Sequence, residues 1–359
     1  MEALMVIIDE DRIKQAIEIA VNTTSLKALA SLPEMDELEL VNIYDNLNPT
    51  GDSLKMVLFN VERGTYCEEI EAYMRYHPAL KEAEIVFFNE LDYGLLRTGN
   101  INTAAELSKR LQMNYVFGIE FMELTIGYKN NLIAYGKNKE AFHGNAIMSR
   151  HKLYDPMILR LPLVYDWFND KQKRFGTRIA LFAKTMIYDK EIGLICTHLE
   201  NRVSPEEREV QMKVILEQAK KQFENIPVII AGDMNTNTFD GSILSESARM
   251  YEIFKSETDR INAPEKYEPL FKLVESYGYD YKAPNLPGKI TRRKSIDGKG
   301  DLRMNIDWFF VKGMSCSEPA VAQTIFARSE LPGLEGMEES EGIQISDHNA
   351  ISGHFRIKD

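Results

Sequence analysis

The sequence predicts an α/β protein built on packed β-sheets, and three observations lead to this prediction. Short apolar runs with the composition of β-strands recur from residue 55 to the end of the chain. Few helix-length segments separate them, so the order departs from the simple strand–helix–strand repeat of a parallel sheet. The chain has 359 residues, which is long enough to bury the core that packed sheets require.

The first 52 residues are predicted to be a helical extension that packs against the main domain. Ile13, Ile17 and Ala20 recur at the spacing of a buried helix face. An acidic, irregular segment follows this helix. Residues 53–359 are predicted to form one domain, because no internal repeat, low-complexity tract or linker interrupts them.

Nine apolar runs in this domain are predicted to be strands. In chain order they are Met56 to Val61, Ile85 to Phe88, Tyr115 to Phe117, Leu132 to Tyr135, Ala146 to Met148, Ile192 to Thr197, Val228 to Ala231, Ile306 to Val311 and Ala350 to Phe355. The stretch from Thr236 to Arg303 is rich in turn residues, so we expect an insertion or a loop over one face.

Two helices have recognisable start signals. Thr103 and, three residues later, Glu106 predict a capping box at the first helix. Ser204, Pro205 and Glu207 predict a capping box with a proline in the first turn at the second.

Composition and charge exclude several classes of protein. There are 43 Lys and Arg against 55 Asp and Glu, so the net charge is −12 and a broad basic surface that coats nucleic acid is not expected. Cys67, Cys196 and Cys316 lack CxxC spacing, which excludes a disulfide framework and a zinc ribbon. The apolar run Leu4 to Ile8 is too short for a signal sequence or a membrane span, so we expect a cytoplasmic protein without an integral membrane segment.

Polar residues at the ends of apolar strands are the main functional signal. They are Asn60 and Glu62, Asn89 and Glu90, His198, Asp233 and Asn235, Asp307, and Asp347 with His348. Any one of them alone is more often a turn or surface residue. Asp307 is harder to explain in this way, since an ionised carboxylate between Ile306 and Trp308 needs a charge partner or strong hydrogen bonds. The whole set therefore predicts a functional site at one end of a sheet system.

The residue types in this set suit the hydrolysis of a phosphate ester. That reaction needs an activated water, neutralisation of charge on the phosphate oxygens and stabilisation of the leaving oxygen. Carboxylate and amide oxygens without thiolates are typical ligands of Mg²⁺ or Mn²⁺. Two imidazoles and two further carboxylates supply proton transfer and charge stabilisation.

Seven motifs resemble those of the endonuclease/exonuclease/phosphatase superfamily, which includes deoxyribonuclease I. In the order of that family they are Phe59-Asn60-Val61-Glu62, Asn89-Glu90-Leu91-Asp92, Gly144 to Arg150, Thr197-His198-Leu199-Glu200, Gly232-Asp233-Met234-Asn235-Thr236, Ile306-Asp307-Trp308 and Ser346-Asp347-His348-Asn349. The resemblance spans residues 55 to 356. It implies a four-layer α/β sandwich, in which two mixed β-sheets lie face to face between outer helices, with a metal site at one end.

The resemblance also implies which residues bind the metal ion. Glu90 corresponds to the principal ligand of Mg²⁺ or Mn²⁺. Asn60 would assist it, and Asp347 would contribute directly or through water.

The implied catalytic residues surround this metal site. Asp233 would orient or deprotonate the attacking water, and Asn235 would position that water or hold a phosphate oxygen. His348 would contact the scissile phosphate, while Asp307 fixes its tautomer and favours its charged form. His198 would bind the phosphate or assist the leaving group.

The implied activity is metal-dependent hydrolysis of a phosphate ester by a phosphodiesterase or nuclease. A phosphomonoesterase or sphingomyelinase-type hydrolase is the alternative, and so is a catalytically silent module that binds a phosphorylated ligand. A serine hydrolase is not supported, because adjacent residues of an extended segment point to opposite faces, so Ser346, Asp347 and His348 do not form a triad by themselves.

The substrate stays open among a nucleic acid, a nucleotide, a phospholipid head group and an inositol phosphate. Thr197 to Glu200, followed by Arg208 and Gln211, is similar to a segment of tyrosyl-DNA phosphodiesterases and of bacterial relatives with unassigned substrates. Asn145, Arg292 and Arg293 are the predicted substrate-binding residues. The two arginines belong to a basic cluster between residues 289 and 303 that is predicted to hold a negatively charged substrate near the metal.

Overall fold

A computed structural model describes residues 7–45, 53–126, 136–243, 247–296, 298–326 and 343–358. Within these ranges there are eight α-helices, which are α1 Glu10–Asn22, α2 Ser25–Ala30, α3 Cys67–Tyr76, α4 Thr103–Leu111, α5 Pro205–Gln222, α6 Ser247–Ser256, α7 Asp259–Asn262 and α8 Leu270–Ser276. The strands of the same ranges are β1 Leu38–Val41, β2 Leu54–Arg63, β3 Ile85–Tyr93, β4 Asn114–Glu123, β5 Phe142–Ser149, β6 Leu153–Arg160, β7 Arg174–Gly176, β8 Ile179–Ile187, β9 Lys190–His198, β10 Val228–Asp233, β11 Arg292–Ile296, β12 Gly300–Met304, β13 Asp307–Lys312, β14 Met314–Ala322, β15 Ile325–Phe326, β16 Ile343–Gln344 and β17 Ala350–Ile357.

Two large mixed sheets form the centre of the molecule. The first has the order β1-β4-β5-β3-β2-β17-β14, with β7 paired to β4, and the second has the order β13-β10-β9-β8-β6. Each contains one parallel pair, β2 with β3 in the first sheet and β9 with β10 in the second. The carboxyl ends of these four strands position the functional residues described below.

The two sheets pack against each other through alternate residues of their strands. Leu58, Phe87, Leu194, Ile229 and Phe309 lie in one buried cluster between the sheets. The intervening residues face outward, where helices α1 to α4 cover the first sheet and helices α5 and α8 cover the second. This order of helices, sheet, sheet and helices confirms the predicted four-layer α/β sandwich.

Most predicted strands lie inside longer observed ones, and the remaining differences have local causes. The predicted strand from Leu132 to Tyr135 lies outside the described residues. The strands without a predicted counterpart are β1, β6, β7, β8, β11, β12, β14, β15 and β16. Several are only two to five residues long, and β6 and β14 have largely half-buried or exposed residues, which weakens their apolar signal.

The two helix-start predictions have different outcomes. The capping box of Ser204 and Glu207 is confirmed, with Pro205 at the first helical position. The predicted capping box of Thr103 is wrong, because Asn102 is the N-cap and its side chain accepts a hydrogen bond from the amide of Ala105. Asparagine is at least as good an N-cap as threonine, so the helix begins at Thr103, one residue earlier than predicted.

Of the two predictions for residues 236–303, an insertion or a loop, the loop is wrong, and the insertion stays a prediction. Helices α6, α7 and α8 lie within this segment, followed by the antiparallel hairpin of β11 and β12. Met250, Phe254, Leu302, Met304 and Ile306 form a small buried cluster beneath the hairpin. The turn residues of this segment therefore separate short elements.

Strand β1 connects the N-terminal region to the first sheet. It pairs antiparallel with β4 and forms one edge of that sheet. Ala16 and Ala20 of α1 pack into the cluster that covers the outer face of the same sheet. The division of the chain at residue 52 stays a prediction. Among the helices of the described ranges, none has the length and apolar character needed to cross a membrane.

A fully buried ion pair joins helix α5 to the segment before helix α8. Arg208 Nη2 lies 2.6 Å from Glu268 Oε1, and Arg208 Nε lies 3.1 Å from Glu268 Oε2. Both side chains are completely inaccessible to solvent. Arg208 also donates to Val203 O through Nη1, and its Nη2 atom lies within hydrogen-bond distance of Phe239 O and the side-chain oxygen of Asn237.

Replacing Glu268 by Leu is expected to lower the free energy of unfolding by about 3 to 5 kcal/mol, because Arg208 would then be buried without its counter-charge. Urea denaturation followed by circular dichroism measures this change. Asp259→Ala, which breaks the exposed Asp259–Lys266 pair, is the control and should leave the midpoint unchanged. Equal effects of the two substitutions would show that the buried pair does not hold this region together.

Candidate active site

Two rows of polar side chains face each other where the sheets end. Asn60 and Asn89 are register partners at the ends of β2 and β3 in the first sheet. In the second sheet, Asp233 is the register partner of His198 on one side and of Asp307 on the other. Each of these residues continues the alternation that directs Leu58, Phe87, Leu194, Ile229 and Phe309 between the sheets. The inter-sheet core therefore ends in a cluster of polar groups.

Asp233 is the centre of this cluster. Its Oδ2 atom lies 3.1 Å from Asn60 Nδ2, 3.3 Å from His198 Nε2 and 3.6 Å from His348 Nε2. Its Oδ1 atom accepts a hydrogen bond of 2.9 Å from the amide of Asn235. Burial raises the pKa of Asp233 above its usual value, and the neighbouring Asp307 adds to this rise while the positive charge of His348 opposes it.

His348 and Asp307 form a buried pair. His348 Nδ1 lies 2.8 Å from Asp307 Oδ2, which directs the Nε2 atom of the same ring toward Asp233. Burial acts to lower the pKa of His348, but the carboxylates of Asp307, Asp233 and Asp347 outweigh burial and raise it well above the usual range. The structure thus brings together His348 and Asp307 as the sequence predicted, and it favours the charged imidazole.

His198 has a different electrostatic environment. Its ring is buried, and burial together with the charge of Arg178 lowers the pKa of His198 well below its usual value. Its Nδ1 atom has no hydrogen-bond partner among the described residues. A neutral His198 that faces Asp233 therefore complements the charged His348 on the other side.

Glu90 reaches the site through an irregularity in strand β3. Its φ angle is 61°, in the left-handed region that non-glycine residues rarely adopt. The pairing of β3 with β5 shifts register between Phe88 and Leu91, so a β-bulge turns the Glu90 side chain toward Asn60, whose Nδ2 lies 3.2 Å from Glu90 Oε1. Burial acts to raise the pKa of Glu90, but the nearby histidines and Arg63 hold it well below the usual range.

Asn235 lies directly beside the acidic centre. Its backbone amide donates to Asp233, and its side-chain amide donates to Leu199 O at 2.9 Å. Its φ angle is 47°, so the chain turns sharply immediately after β10. This turn holds the Asn235 side chain at the rim of the site.

Asn89 belongs to the predicted set of strand-end residues, but the sequence assigned it no role in the site. Its side-chain oxygen accepts a 2.9 Å hydrogen bond from the amide of Asp233. Its Nδ2 atom donates to Thr197 O at 3.1 Å and to Asn145 Oδ1 at 2.9 Å. The signal was its place one residue before Glu90, where strand alternation directs it between the sheets.

Asn145 lies behind Asn89, away from solvent. The oxygen of its amide accepts from Asn89, and its Nδ2 atom donates to Glu120 Oε2 at 2.7 Å. Glu120 pairs with Arg178, which in turn contacts Glu200. The structure therefore places this predicted substrate-binding residue in a buried network that supports Asn89.

Asp347, Arg292 and Arg293 meet at the hairpin. Asp347 Oδ2 accepts hydrogen bonds of 2.9 Å from Arg292 Nε and Nη2, and Asp347 Oδ1 lies 3.8 Å from His348 Nε2. Arg293 stands on the opposite face of the hairpin from Arg292, as the alternation of a strand requires. Of the three predicted metal ligands, Asn60 and Glu90 therefore contact each other directly, whereas Asp347 lies beside Arg292 and His348.

The side chains of this site fit a hard divalent cation. Glu90, His198 and Asp233 bring one donor atom each to within 4.8 Å of one another, as do Asp233, Asp307 and His348. Asp307 Oδ1 is buried without a hydrogen-bond partner among the described residues. Carboxylate oxygens are the donor type that Mg²⁺ or Mn²⁺ prefers. Asn60 turns its Nδ2 atom toward Glu90 and Asp233, so its amide would have to rotate to offer its oxygen to a cation.

Solved structures share this fold. The endonuclease/exonuclease/phosphatase from Beutenbergia cavernae DSM 12333 superposes with a TM-score of 0.53 at 15% identity, and the match covers 86% of this chain and 72% of that one. The endonuclease/exonuclease/phosphatase from Bacteroides vulgatus has a TM-score of 0.52 at 14% identity, with coverage of 86% and 100%. Neither a family model nor a curated protein matches the amino-acid sequence. The chain thus has the fold that its motifs implied.

Replacing Asn89 by Ala is expected to lower the free energy of unfolding by about 2 to 4 kcal/mol, because Thr197 O, Asn145 Oδ1 and the amide of Asp233 would be left buried and unpaired. Chemical denaturation provides the measurement. Asn169→Ala removes an exposed amide and is the matched control. If both variants unfold at the wild-type denaturant concentration, Asn89 does not join the sheets energetically.

Proposed function

We propose that the protein hydrolyses a phosphate ester by attack of water, with a divalent cation as cofactor. The observation that carries this proposal is the arrangement around Asp233, whose carboxylate lies 3.3 Å from His198 and 3.6 Å from a His348 that is itself paired with Asp307. A carboxylate between a neutral and a charged imidazole suits proton transfer next to the stabilisation of negative charge.

Each residue has a role that follows from its surroundings. Asp233, with its raised pKa, accepts a hydrogen bond from the attacking water and orients it toward phosphorus. The charged Nε2–H of His348 binds a phosphate oxygen, and Asp307 keeps that ring in place. His198 donates to a second oxygen or to the leaving group, and Asn235 positions the water or a phosphate oxygen at the rim.

Glu90 and Asn60 would hold the cation. Their side chains contact each other, and the lowered pKa of Glu90 keeps its carboxylate ionised at neutral pH. Bound there, Mg²⁺ or Mn²⁺ supplies charge neutralisation on the phosphate and a more acidic water. Asp347 stays a predicted ligand that is paired with Arg292 in this structure.

We propose a phosphodiester as the substrate and a phosphomonoester as the alternative. Parallel assays with bis-p-nitrophenyl phosphate and p-nitrophenyl phosphate separate the two. Tight metal binding without turnover on a broad phosphoester panel would instead indicate a silent binding module.

The variants Glu90→Gln, Asp233→Asn and His348→Gln are each expected to lower kcat/KM by about a hundredfold or more, because each removes charge or a proton acceptor from the reacting centre. Hydrolysis of bis-p-nitrophenyl phosphate with excess Mg²⁺ measures this loss. Asp189→Asn makes the same carboxyl-to-amide change at an exposed turn and should retain full activity. Wild-type turnover in all three site variants would refute the proposal.

Removal of divalent metal with EDTA is expected to abolish hydrolysis, and added Mn²⁺ or Mg²⁺ should restore it. A second readout does not depend on activity. Mn²⁺ should raise the Tm of the wild-type protein, because a ligand that binds only the folded state stabilises it. The same addition to Glu90→Gln should leave Tm unchanged, and an equal rise in both proteins would place the metal elsewhere.

A further inference from the structure

A cleft of about 140 Å³ opens beside the catalytic groups. Two residues that line the cleft also contact residues of the candidate active site. The backbone amide of Asn235 donates to Asp233, and the guanidinium of Arg292 donates to Asp347. Whole small-molecule sites usually measure about 300 to 1,000 Å³, so this cleft has the size for one fragment of a substrate. The cleft therefore adjoins the place where a substrate bound at Asp233 would react.

The lining of the cleft is positively charged. Arg202, Arg292 and Lys294 line it, and there is no carboxylate among its lining residues in the described part of the chain. Asp170 and Asp347 pair with Arg202 and Arg292 from outside the lining. The protein as a whole has a net charge of −12, so this local excess runs against the overall balance. Such a cavity attracts anions from its surroundings and concentrates them next to the reacting centre.

The hairpin of β11 and β12 separates its basic residues between two faces. Arg292 pairs with Met304 and Lys294 pairs with Leu302 in the register, and all four of these residues line the cleft. Arg293 pairs with Arg303 on the opposite face, because directly paired residues of an antiparallel ladder point the same way. The basic cluster seen in the sequence is thus divided, and only one face of the hairpin serves the cleft.

Buried amides and apolar side chains complete the walls. Asn235 and Asn237 are almost fully buried, and the oxygen of the Asn237 amide is fixed by hydrogen bonds from Arg208 and from the amide of Phe239. Met250 and Leu302 supply apolar surface. A ligand held here would accept hydrogen bonds from cations and amides and would rest against apolar side chains.

We propose that this cleft binds a second phosphoryl group of the substrate, next to the phosphate that is hydrolysed. This inference rests on the proposed function for the position of the scissile phosphate. A phosphoryl group offers several oxygens and up to two negative charges, which three cations and neighbouring amides can share, and an arginine binds two of its oxygens at once. Two sources supply this chemistry: the adjacent phosphate of a nucleic acid strand, and a small metabolite with two phosphates.

The first test measures binding and does not require turnover. Thymidine 3′,5′-bisphosphate and thymidine 5′-monophosphate are titrated into the protein by calorimetry in low-salt buffer with Mg²⁺. The bisphosphate is expected to bind about tenfold more tightly to the wild-type protein, since it adds charge-assisted hydrogen bonds. Lys294→Ala and Arg202→Ala, which alter two different walls, should each remove most of this advantage.

Arg303→Ala is the matched control, because it removes one positive charge from the same hairpin on the opposite face. It should keep the full preference for the bisphosphate. Equal binding of the two nucleotides by the wild-type protein would overturn the proposal, and so would an equal loss of preference in Arg303→Ala and Lys294→Ala.

The second test uses activity and separates this inference from the proposed function. The ratio of kcat/KM for pdTpdT to that for bis-p-nitrophenyl phosphate should fall about tenfold in Lys294→Ala, through KM, and stay constant in Arg303→Ala. If the wild-type protein hydrolyses neither ester but still binds the bisphosphate more tightly than the monophosphate, the cleft proposal stands and the proposed function is refuted. If this ratio is the same in Lys294→Ala as in the wild-type protein, the cleft proposal is refuted and the proposed function is unaffected.

A third comparison identifies the source of the second phosphate. If the substrate is a nucleic acid strand, a ten-nucleotide oligothymidylate should be cleaved with a higher kcat/KM than pdTpdT. If the substrate is a small bisphosphate, lengthening the chain should bring no gain. Both results support the binding of a second phosphoryl group, provided that the higher kcat/KM relative to bis-p-nitrophenyl phosphate, which has one phosphoryl group, disappears in Lys294→Ala.

Discussion

The side-chain amide of Asn89 is the connection on which the geometry of the site depends. It is completely buried at the end of the inter-sheet core, where it binds the backbone of both β9 and β10 from its place on β3. A sliding movement of one sheet over the other would leave several buried polar groups unpaired, which is far more costly than a small loss of apolar contact. The register of the two sheets is therefore fixed at the point where Glu90 of one must face Asp233 of the other.

Charge is organised around this fixed point in two layers. In the inner layer, Asp233 and Asp307 are buried close together, a placement that is tolerable because His348 stands between them. In the outer layer, Arg292 is paired with Asp347, and Arg202 and Lys294 lie in the lining of the neighbouring cleft. The strongly acidic composition of the chain thus coexists with cationic side chains at the edge of the site, because the acidic residues of the centre are paired inside.

The sequence was informative wherever the signal was local. Strand alternation together with a terminal polar residue identified Asn60, Glu90, His198, Asp233, Asp307 and His348, and the structure brings all of them together. It was uninformative where a residue acts through distant partners. Asn89 was named at a strand end without a role, and Asn145 was predicted to bind substrate although it is buried behind Asn89. Helices α6 to α8 were missed because short elements separated by turn residues resemble a loop until their shared apolar cluster is formed.

The left-handed backbone of Glu90 has a consequence for how this protein would respond to selection. A non-glycine residue at a positive φ angle adopts a conformation that glycine reaches without steric cost, so stability and chemistry favour different residues at position 90. Laboratory evolution under heat alone would favour glycine at this position for its backbone and would remove the carboxylate that contacts Asn60. Activity must therefore be part of any screen that aims at a more robust form of this fold.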